Sequence, residues 1–123
     1  MSVPAVGASD PVSSLLAAAL DGVALRQRVT ADNIANVDTP GFRASSVDFE
    51  SALRAAISSG EAGSPGWQPG ASVVPTDTPV GANGNNVDLR KESLSAMQSQ
   101  YQYQLLTRAV ADRFDLIKFA AGQ

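Results

Sequence analysis

Cysteine and histidine are both absent from this chain of 123 residues. Their absence excludes disulfides, zinc–thiolate sites and histidine general bases. A chain without cysteine is also compatible with life outside the cytoplasm. Aromatics are scarce, at 6%. Alanine is the commonest residue of the apolar 44% and buries little area, so a large self-sufficient core is not expected. Lysine occurs only at Lys91 and Lys118, and the net charge is −3. That balance is wrong for a nucleic-acid binder, which carries a basic patch. The apolar run Leu15-Leu16-Ala17-Ala18-Ala19-Leu20 is far short of the ~20 residues a membrane span needs. The stretch from Met1 to Asp21 does not read as a cleaved signal either: it has no basic start, and Asp10 and Pro11 precede its apolar run. If the protein leaves the cytoplasm, the expected route is one that reads no cleaved signal.

What is present is helical periodicity at both ends. The first helix is expected over 11–36, capped by Ser9 or Asp10 with Pro11 at its first position. Leu16, Leu20, Val23, Ala31 and Ile34 share one stripe at helical spacing, interrupted by the polar Gln27. Leu15, Leu25 and Val29 lie off that stripe, so the apolar surface is wider than one face. Gly22 reads as a weak spot, costing about 1 kcal/mol against alanine. Residues 37–58 are expected to hold a turn and a short helix. Thr39 precedes proline and is pushed out of helical geometry, and Pro40-Gly41 suits the centre of a type II turn that presents Phe42. Asp48 is a plausible cap for the short helix, in which Phe49, Leu53 and Ile57 recur every four residues beside Ala52 and Ala56.

Residues 59–87 form a Gly/Pro-rich middle with no helical period, read as a flexible loop. Part of it, Ala71 to Val80, suits extended structure, and Pro75 and Pro79 confine any such strand to an edge. The last helix is expected over 88–121, capped by Asp88 and stopped by Gly122. It carries two offset stripes. One is Leu94, Met97, Tyr101, Leu105; the other is Tyr103, Leu106, Val110, Phe114, Ile117, Ala121. The expected fold class is therefore mainly α, a hairpin of two long terminal helices with a short helix and an irregular or partly extended middle. Pairing the two helices covers one face of each and leaves the remaining apolar faces open. A monomer rarely tolerates large exposed apolar patches, which points to coupled folding and assembly with other chains.

No arrangement of residues points to catalysis. Asp48 and Glu50 stand two apart, and such a pair does not face one site on a helix. The glycines from Gly60 to Gly84 lack the strand–loop–helix context of a phosphate loop. Asn33 and Asn36 admit two readings, helix-terminus capping and hydrogen bonding between subunits. Pro40-Gly41-Phe42 reads as an ordinary turn with a core anchor, and secondarily as an intersubunit contact. Leu94, Met97 and Tyr101 read as helix–helix core, whose partner is this chain's own helix or a neighbour's. Trp67 is by default a loop aromatic. No catalytic residue, cofactor site, metal site or small-molecule ligand is expected.

The run from Arg28 to Arg43, RVTADNIANVDTPGFR, resembles the N-terminal signature of flagellar axial proteins, the superfamily of rod and hook components. Asp32 stands where asparagine is common, and Phe42 where tyrosine is common. Asp48-Phe49-Glu50 with Leu53, and Gly84-Asn85-Asn86-Val87-Asp88-Leu89 with Glu92 and Tyr101-Gln102, are similar to stretches of its short proximal-rod members. Residues 61–83 match nothing in the pattern. The resemblance implies a structural subunit of the flagellar basal-body proximal rod. It implies terminal helices packed as a coiled-coil-like pair in a helical tube that transmits torque, and type III export without a cleaved signal. Implied partners are further copies, FlgC-like and FliE-like rod proteins, the basal-body ring and the export apparatus. The implied assembly signature is Asn33, Ile34, Asn36, Thr39, Pro40, Gly41, Phe42, Asn86 and Asp88. Two alternatives stand beside it. A FlgC-like sister rod subunit fits less well, because Ser93 replaces the methionine expected after the glutamate. A secreted Trp-x-Gly hairpin fits less well, because Trp67 is followed by Gln68-Pro69.

Overall fold

The computed structural model describes residues 11–67 and 70–122. Helix α1 spans Pro11–Ala35 and helix α3 spans Leu89–Ala121, with α2, Glu50–Ser59, between them. The expected caps Ser9 and Asp10 lie outside the described residues. Helix α1 ends one residue earlier than the pattern suggests, where the Asn36 N–H donates to the carbonyls of Asp32 and Asn33. Helix α3 is capped as expected: the Asp88 carboxylate accepts from the Lys91 N–H at 3.2 Å. It closes on Gly122, whose N–H donates to the Lys118 carbonyl. Its 33 residues make it about 50 Å long at ~1.5 Å per residue. Helix α1 packs along α3, the most extensive contact between any two elements.

A two-stranded antiparallel sheet joins the middle of the chain. Strand β1 is Ser45–Asp48 and β2 is Ser72–Pro75, in the register Ser45 to Pro75 through Asp48 to Ser72. The proline at the end of β2 is tolerated because β2 has an open outer edge. Strand β1 lies in a segment expected to be turn and helix. Four residues, Ser-Ser-Val-Asp, are too few to show an alternating pattern. Its pairing is long-range and becomes visible only when β2 folds back. A single 3₁₀ turn, Glu61–Gly63, follows α2.

Asp48 sits one residue before the N-cap of α2, which is Phe49 and has no side-chain cap bond. Asp48 still serves that helix. Its carboxylate accepts the Ser51 N–H at 3.1 Å and the Ser51 hydroxyl at 2.7 Å. The helix stops at Gly60 in the left-handed region, φ 75°, which glycine adopts without a Cβ penalty. Of the expected stripe on α2, Phe49 is buried and Leu53 half-buried, but Ile57 faces solvent. Ala56 takes the inward place instead.

The core is small, as the alanine-rich composition suggests. It centres on Val23, Val47 and Phe49, with Ala19, Leu25, Val29, Leu53 and Leu106 packed around them. Gly22 is not a weak spot but a seat. A Cβ there would lie 2.3 Å from Cγ of Phe49 and 2.8 Å from its Cβ, so only glycine lets the ring lie on α1.

Candidate assembly site

The two signature segments meet each other, and asparagine side chains fasten them. Asn33, 1% exposed, donates its amide to the Ser45 carbonyl at 2.7 Å and accepts the Ser45 N–H at 3.2 Å. Its side chain thus acts as a one-residue strand on the free edge of β1, satisfying backbone groups that would otherwise be buried unpaired. Asn36 closes the end of α1 more locally. It donates to the Asp32 carbonyl and accepts from the Thr39 hydroxyl.

From the other segment, Asn85 donates at 2.8 Å to the carbonyls of both Asn36 and Thr39, joining the start of α3 to the turn that follows α1. Its carboxamide oxygen accepts the Val87 N–H. Asn86 accepts the Ala44 N–H at 2.6 Å and reaches Thr76 and the Thr78 carbonyl with its amide. Backbone bonds complete the junction: Gly41 N–H donates to Asn83 and Asn86 N–H to Phe42. The expected type II turn is present, with Gly41 at φ 77° and the Phe42 N–H donating to Thr39. Gly84, also at positive φ, faces Gly41 so closely that a Cβ would lie 3.2 Å from its Cα. The end of α1 and the start of α3 are therefore locked together before either helix pairs further. Asn36 thus closes the helix end, whereas Asn33 bonds to β1.

Arg26 is the residue the pattern did not single out. It grips Glu50 through both carboxylate oxygens at 2.7 and 2.9 Å, donates to the Val47 carbonyl at 2.6 Å, and stacks on the Phe49 ring at 4.7 Å. One guanidinium thereby ties α1 to β1, α2 and the core ring. These bonds from Arg26 hold the Glu50 carboxyl below its ordinary value. Ser51 does the same for Asp48. The two carboxylates serve different elements and converge on no common point. A lone arginine in a helix carries no sequence signal of such a role.

The long helix turns a polar line toward α1. Glu92 and Ser99 are buried, and the Ser95 hydroxyl lies 3.4 Å from that of buried Thr30. Leu106, Val110 and Ile117 continue this line half-buried. Leu94, Met97, Tyr101 and Leu105 do not pack on α1: they are 55%, 72%, 63% and 52% exposed. Phe114 is exposed as well. On α1, Leu16 and Leu20 are half-buried and Val23 is fully buried. The physical reason is an offset of two positions. Leu94, Met97 and Tyr101 each follow Glu92, Ser95 and Ser99 by two residues, about 160° around the helix. Burying Ser99, whose hydroxyl has no partner among the described residues, costs free energy, yet it brings the helices close and leaves the larger side chains outside. No group of three or more acidic residues able to hold a metal occurs among the described residues.

A small core, two long helices locked at one end and an outward apolar line define a helical structural subunit. Comparison with known proteins says which kind. The family model described as flagella basal body rod protein matches residues 17–43, most of α1 and the turn after it. The flagellar basal body rod protein FlgB of Borreliella burgdorferi is 34% identical, the match covering 80% of this chain and 86% of that one. FlgB of Bacillus subtilis is also 34% identical, over 81% and 84%. FlgB of Borrelia hermsii is 36% identical, over 77% and 84%. The chain belongs to the flagellar basal body rod protein family, whose members are structural.

Proposed function

We propose that this chain builds the proximal part of the flagellar rod by polymerising through α1 and α3, and that the polymer carries torque between the basal-body ring and the distal rod. The observation that carries this reading is the apolar line of α3. Leu94, Met97, Tyr101 and Leu105 are large, exposed and aligned on one side of a long helix, and a monomer rarely leaves such a surface open to water. The clasp at Asn85 and Asn86 supports it too, because it fixes the start of α3 against the end of α1 and the turn after it while the outer face of α3 stays available. The expected neighbours are further copies, FlgC-like and FliE-like rod proteins and the basal-body ring, reached after type III export without a cleaved signal. No helix is long and apolar enough to cross a membrane among the described residues. The FlgB name of the relatives favours this over the sister-rod alternative. Trp67, beside α1 rather than in a turn joining two helices, gives no support to a Trp-x-Gly hairpin.

The test is Met97→Asp. Met97 is 72% exposed, so the purified variant should unfold at the same urea midpoint as the parent. In a motile strain that relies on this chain, the variant should be made, stay out of isolated basal bodies and abolish swimming. Normal swimming with Met97→Asp would overturn the reading.

A further inference from the structure

Two surfaces of one chain that cannot meet within it fit each other. The first is the outward line of α3, from Leu94 through Tyr101 and Leu105 to Leu116, all exposed. The second lies on α1. A hollow of about 350 Å³ is lined by Ser14, Ala17, Asp21, Gly63 and Trp67. Next to it, a hollow of about 310 Å³ is lined by Leu25, Arg28, Phe49 and Leu53. They share Ala18 and Asp21 and so form one groove. Asp21 and Arg28 lie about 160° around α1 from Val23 and Thr30, the residues turned to Leu106 and Ser95. The groove therefore opens away from this molecule's own α3. Its walls are small residues and its floor is apolar, the shape that accepts large side chains as knobs.

Resting on the rod reading above, we infer that the outward line of α3 seats in the α1 groove of the next copy, antiparallel to that helix. Charge decides the direction. With Leu105 in the hollow at Leu25 and Leu53, an antiparallel helix brings Arg108 level with Asp21, and Tyr101 level with Arg28, a cation over a ring. A parallel helix in the same place sets Arg108 against Arg28. Neither Asp21 nor Arg108 has an ion-pair partner among the described residues. Because α3 returns along α1 within each chain, copies that all point the same way present α3 antiparallel to a neighbour's α1. The contact joins unlike surfaces, so it does not close on itself in a pair. It leaves one groove and one helix line open at each end, as a growing tube requires.

The test uses the full chain in a motile strain, and the absence of cysteine leaves no background. The variants are Asp21→Arg, Arg108→Asp and the two together, with a separate Ala17→Cys/Asp112→Cys double for oxidation in isolated basal bodies. Each single reversal is expected to lose swimming, and the double reversal to regain it. The cysteine double is expected to give a ladder of covalent multimers. Chain present in the basal body but without multimers, or single reversals that swim, overturns this contact and leaves the rod reading intact. Parent chain absent from isolated basal bodies overturns both.

Discussion

Replacing Gly22 with alanine separates what helix propensity predicts from what packing predicts. In an exposed helix interior the change stabilises by about 1 kcal/mol. Here the added Cβ falls 2.3 Å from Cγ, 2.5 Å from Cδ1 and 2.8 Å from Cβ of Phe49. Swinging the ring about the Cα–Cβ bond relieves the first two overlaps. The third is with an atom fixed to the backbone, so α1 and the start of α2 must move apart. Overpacking of this kind costs about 1–3 kcal/mol, and the number of overlaps puts it at the upper end. The net expectation is a loss of about 1–2 kcal/mol once the helix gain is subtracted. Urea unfolding followed by far-UV circular dichroism reads this as a midpoint lower by roughly 0.5–1 M, for a slope of about 2 kcal/mol per molar. The same change made in a Phe49→Ala background should instead raise the midpoint, because nothing then occupies the seat. A higher midpoint for Gly22→Ala in the parent chain would refute the argument.

Two further expectations concern the clasp and the ion pair. Asn33→Ala strands the Ser45 N–H and carbonyl in a partly buried place. It should cost about 2–6 kcal/mol, from ~1–3 kcal/mol for each unsatisfied group, and speed hydrogen exchange across β1. A variant that keeps the parent's unfolding midpoint would show that these bonds do not fasten the segments. Glu50 is held below its ordinary value of 4.5 by Arg26, so its charged form favours the fold. That contribution is present above the ordinary value and is lost as pH falls through the lowered one. The midpoint gap between the parent and Glu50→Gln should narrow as pH drops below 4.5 and also in high salt, because Glu50 is partly exposed and screened. A gap independent of pH would mean the pair does not contribute through charge.

Much was legible along the chain because it is local. Helical spacing, Pro40-Gly41, Asp88 and Gly122 mark where backbone geometry must change, and the structure places α1, α3 and the turn within a residue or so of those marks. The family resemblance was legible for the same reason, since its signature is a continuous run. The rest was not, because it depends on residues far apart. Strand β1 exists only through β2 and Asn33. Arg26 looks like any surface arginine until Glu50 and Phe49 arrive from another element. Gly22 looks like a defect until a ring lies on it.

The sequence alone determined that both ends are helical, that they carry more apolar surface than one pairing can cover, and that no histidine or cysteine chemistry takes place. Which apolar line is left outside was a tertiary decision. Two stripes on one helix are equivalent until a partner chooses a face. Here the clasp at Asn85 and Asn86 sets the rotation of α3 at its start. That rotation turns Ser95 and Ser99 inward and Leu94, Met97 and Tyr101 outward. Close approach of two backbones over small residues outweighed the burial of larger ones, because hydrogen bonds fixed at one end of a helix are carried rigidly along its length.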